Sequence, residues 1–83
     1  MNKEDIIYDL KLGDVLVSNE YNFMIITEPN IVGIYKILNI TTGVSSKASA
    51  YLSIDSALDK ILEKFEISAV IKKETLDELI RRN

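Results

Sequence analysis

The side chains able to do chemistry are few, and their spacing is weak. Ser45, Ser46, Lys47 and Ser49 crowd into the run Ser45-Ser46-Lys47-Ala48-Ser49, and a lysine of lowered pKa held against a serine is one way to make a nucleophile. Such a lysine must be desolvated to lose its proton near neutral pH. Nothing in this polar run suggests burial, and it reads as a surface strand or loop. Asp55, Asp59 and Glu63 recur every four residues. On a helix they would share one side and could attract a hard cation such as Mg or Ca. Lys60 and Lys64 lie among them, which favours a solvated helix face of balanced charge.

The chain has no histidine and no cysteine. The common general base near neutral pH, the thiolate nucleophile, the soft ligands of a zinc site and any disulfide framework are all missing with them. Three glycines stand apart from one another, so there is no phosphate-binding loop. Tyr8, Tyr21, Phe23, Tyr35 and Tyr51 could stack on bases, but a stacking platform works beside a basic groove. Only Lys36, Lys47, Lys72 and Lys73 offer themselves for one, and the net charge is −3, which gives no electrostatic reason for a nucleic-acid partner. These absences predict a protein that is not an enzyme, with no catalytic, cofactor-binding or metal-binding residue.

The elements that would position any site follow from periodicity. With 83 residues, 47% hydrophobic and 28% charged, the chain predicts a single folded domain over 1–83, near the size where one core supplies only about 3–5 kcal/mol. Residues 1–10 form an N-terminal arm or short helix, with Asn2 as its N-cap. Residues 14–52 read as a β-meander. Val15 to Ser18 and Phe23 to Thr27 make a hairpin, Glu28-Pro29-Asn30 is a turn, and Ile31 to Thr41 is a long strand in which Gly33 marks a bulge or bend. Thr41-Thr42-Gly43 turns the chain again, and Val44 to Leu52 returns as a more polar edge strand.

The clearest helix spans 53–65. Ser53 is its N-cap, and Ile54, Ala57, Leu58, Ile61, Leu62 and Phe65 lie on one face. Residues 66–83 give a short strand around Ile67 to Ile71 and a terminal helix, where Thr75 and Glu78 match a capping box ahead of Leu79 and Ile80. The fold class is therefore α+β: a small twisted antiparallel sheet, or an SH3-like barrel, of four or five strands, with one amphipathic helix packed on it.

The run IVGIYKILNI, residues 31–40, is apolar on both faces, with Tyr35 and Ile37 on one side and Ile34 and Leu38 on the other. One face can pack on the 53–65 helix, so the second needs another cover. Tyr35 and Ile37, with Leu76, Leu79 and Ile80 of the terminal helix, are the candidate interaction residues. A symmetric homodimer is the simplest cover. The N-terminus has charge of both signs and no long apolar core, so neither a signal peptide nor a membrane span is expected, and a cytoplasmic location is. Asn39-Ile40-Thr41 matches a glycosylation acceptor, without consequence in that compartment.

KLGDVLVS, FMIITE, IYKILNITTG and the helix SIDSALDKILEKF together resemble small uncharacterised phage and mobile-element proteins of low-GC bacteria. The similarity spans residues 11–71, and its motifs are turn and core patterns of low specificity. It implies an SH3-like barrel or curled sheet followed by a helix, in the cytoplasm of a bacterial host, and transfers no functional residue. Abundant isoleucine, lysine and asparagine agree with such an origin. The expected function is a non-enzymatic binding module acting through protein–protein association, as an inhibitor or adaptor of a host protein, with a homodimer as one form of it. The alternative is a small nucleic-acid-binding β-barrel.

Overall fold

In the computed structural model, which describes residues 1–45 and 50–81, the chain is an α+β domain built on one five-stranded antiparallel sheet with three helices. The first helix, α1 (Lys3–Ile7), starts where the side chain of Asn2 accepts the Asp5 N–H at 3.0 Å, satisfying a backbone donor that a helix leaves orphaned at its start. Next come β1 (Val15–Ser18) and β2 (Asn22–Thr27). Ser18 holds the tip between them, because its hydroxyl accepts the N–H groups of Glu20 and Tyr21 and donates to the Tyr21 carbonyl.

The third strand, β3 (Tyr35–Asn39), is half the length that its apolar run predicts. Residues 28–34 form a loop instead, closed by the Glu28 N–H on the Ile34 carbonyl at 2.9 Å. Asn30 and Gly33 take φ of 69° and 83° there, which a straight strand does not allow. Ile31 is half-exposed and Val32 fully so. After a turn in which the Gly43 N–H bonds the Asn39 carbonyl at 2.8 Å, β4 (Val44–Ser45) is the short edge strand. Residues 46–49 of the expected edge strand lie outside the described residues, and Tyr51 rejoins the ladder by a two-way bridge to Tyr35.

The main helix, α2 (Ile54–Leu62), is capped as expected, with Ser53 Oγ accepting the Ser56 N–H at 3.1 Å. It is followed by β5 (Ile67–Ile71) and α3 (Lys73–Arg81). The strand order is β4-β3-β2-β1-β5. Of the two forms expected, the chain adopts the open sheet and not the closed barrel. Leu16, Phe23 and Ile25 on one sheet face meet Ala57, Leu58 and Ile61 of α2, with Ile6 of α1 and Ile67 completing the core. Leu16, Ala57 and Leu58 are wholly buried.

Candidate functional site

Cross-strand pairing sorts the sheet residues into two faces, because directly opposed residues in an antiparallel ladder point the same way. On the covered face, Leu16 pairs with Phe23 and Val70, and Ile25 with Ile37. On the opposite face a row runs across all five strands: Ile71 pairs with Val15, Val15 with Met24, Met24 with Leu38, and Leu38 with Ser45. Four of those five residues are apolar. Val17 and Ile26 flank the row on the same face.

This second face stays outside the core cluster. Val15 is buried, but Val17, Met24, Ile26 and Leu38 are only half-buried, and Ile71 is exposed. Among the described strand residues on this face, the one charged side chain is Lys36, whose ammonium meets the Glu28 carboxylate at 2.5 Å. That pairing neutralises the charge of Lys36.

Tyr35 and Ile37 do not lie there. Both pack against the core on the helix-covered face, and β3 presents Lys36 and Leu38 to the open side instead. In α3, Leu76 is half-buried while Leu79 and Ile80 are 53% and 72% exposed, and no residue of the helix is buried. Sequence alternation had paired the right residues on β3 but could not say which set the helix would cover. Met24, Ile26 and Val17 were overlooked because the hairpin strands are too short for alternation alone to assign their faces.

A second feature was missed altogether. Asp14 is 2% exposed, and its carboxylate accepts the N–H of Lys11 and the N–H of Lys73, each at 2.9 Å, and an ammonium hydrogen of Lys72. Lys72 also reaches the side chain and carbonyl of Asp9. Burial, the largest single influence, pushes the Asp14 carboxyl up. The Lys72 ammonium and the two backbone N–H groups together outweigh it, so the carboxyl sits below the ordinary aspartate value. The hydrogen bond to Asp14 in turn raises Lys72. Both oxygens of this buried carboxylate are engaged by groups of the chain itself, so the cluster reads as a structural pin. Its partners lie far apart in sequence, and only the turn residue Asp14 could have been noticed beforehand.

The other candidates resolve into packing. Lys3 bridges Asp55 at 2.7 Å and Asp59 at 2.9 Å, and Lys60 pairs with Glu63 at 3.1 Å, so the acidic row ties α1 to α2. Among the described residues no three carboxylates converge as a metal site would require. Tyr21, Phe23 and Phe65 stack edge-on or tilted, with ring centroids 4.9–6.3 Å apart, while Tyr8 is exposed. Ser46, Lys47 and Ser49 of the serine–lysine run lie outside the described residues. No described helix is long and apolar enough to cross a membrane. Comparison of the chain with protein-family models, curated proteins and solved structures found no match.

Proposed function

We propose that the protein is a binding module with no catalytic step, working by protein–protein association through the second face of its sheet. The observation that carries this reading is the apolar row Ile71–Val15–Met24–Leu38, which crosses four strands outside the main core cluster, with Val15 buried and Met24, Leu38 and Ile71 still reaching solvent. Apolar sheet surface left in water costs free energy in proportion to its area, and contiguous patches of this kind mark association sites. The Lys36–Glu28 pair adds to the reading, since it offsets a charge that would otherwise oppose an apolar partner.

The test is the double substitution Met24→Lys with Leu38→Lys. A recognition surface tolerates it, keeping the far-UV circular dichroism and shifting the thermal midpoint by only a few degrees, because a half-exposed lysine can reach water along its own stem. If the double variant is unfolded while the parent chain is a folded monomer, the face belongs to the interior of the single chain and the proposal falls.

A further inference from the structure

We draw no further inference here: the strongest candidate, the apolar row Ile71–Val15–Met24–Leu38 on the second face of the sheet, belongs to the site already described, and nothing in the structure shows what covers it.

Discussion

The carboxylate of Asp14, in the turn before β1, accepts the backbone N–H of Lys73, the first residue of α3, at 2.9 Å. A side chain 59 positions away thus supplies a cap that the local sequence does not. The helix was expected to begin from a capping box at Thr75. Its first residue is Lys73, three positions before the one such a box implies, because this buried acceptor is already in place.

Replacing Asp14 should be among the most damaging single changes outside the apolar core. Asp14→Ala leaves the N–H groups of Lys11 and Lys73 without their acceptor and removes the buried one of the two carboxylates that pair with Lys72, at a cost of about 2–3 kcal/mol. Asp14→Asn keeps part of the geometry and should fall between the two. Urea unfolding followed by circular dichroism gives the comparison, and midpoints equal to the parent's would refute the role assigned to the pin.

The same group sets the acid limb of stability. Its folded pKa lies below the unfolded value, so its contribution is fully present above the unfolded value of about 4 and is lost as pH falls through the lower folded one. Lys72 acts in the opposite sense. Its raised pKa contributes stability that is complete below about 10.4 and vanishes as pH climbs through the folded value. Unfolding midpoints taken from about pH 7 down to about pH 2 should therefore fall less steeply for Asp14→Asn than for the parent.

Leu58 of α2 is wholly buried against Leu16 and Phe23 in the core cluster. Leu58→Ala should cost about 2.5–5 kcal/mol, comparable to the whole stability expected of a domain this small. The variant should be largely unfolded at room temperature, as read by loss of amide dispersion in a heteronuclear NMR spectrum. A well-dispersed spectrum would mean that the core is redundant around this position.

Removal of residues 74–83 should be mild by contrast. Within α3 only Leu76 is half-buried and nothing is buried, so truncation after Lys73 preserves the Asp14 contact and should cost about 1 kcal/mol or less at low protein concentration. Loss of folding on truncation would show that α3 is integral to the single chain.

Local chemistry made some elements legible and left others hidden. Ser53 and the apolar spacing of Ala57, Leu58 and Ile61 marked α2, and the polar tip 19–22 marked the hairpin, although Asn22 itself opens β2, because caps and turns act over a few residues. The apolar run 31–40 misled, since four of its residues close a loop through the Glu28–Ile34 hydrogen bond and the left-handed Gly33. Periodicity placed Tyr35 and Ile37 together correctly. Their assignment to the open face failed because the covered side depends on where α2 docks, which is a property of the whole fold. The Asp9–Asp14–Lys72 cluster joins the two ends of the chain and has no local signature at all.

The position of β1 between β2 and β5 has a consequence for biosynthesis. The β1–β2–β3 meander can form as soon as those residues leave the ribosome, but the far edge of β1 is paired only by β5, with Val15 opposite Ile71. Contacts of such high sequence separation are slow to close. A nascent chain stalled before Ile67 would expose a bare strand edge beside an apolar face, the combination that invites aggregation. Translation speed between the codons of β1 and β5 is thus expected to influence how much of this protein reaches its native state.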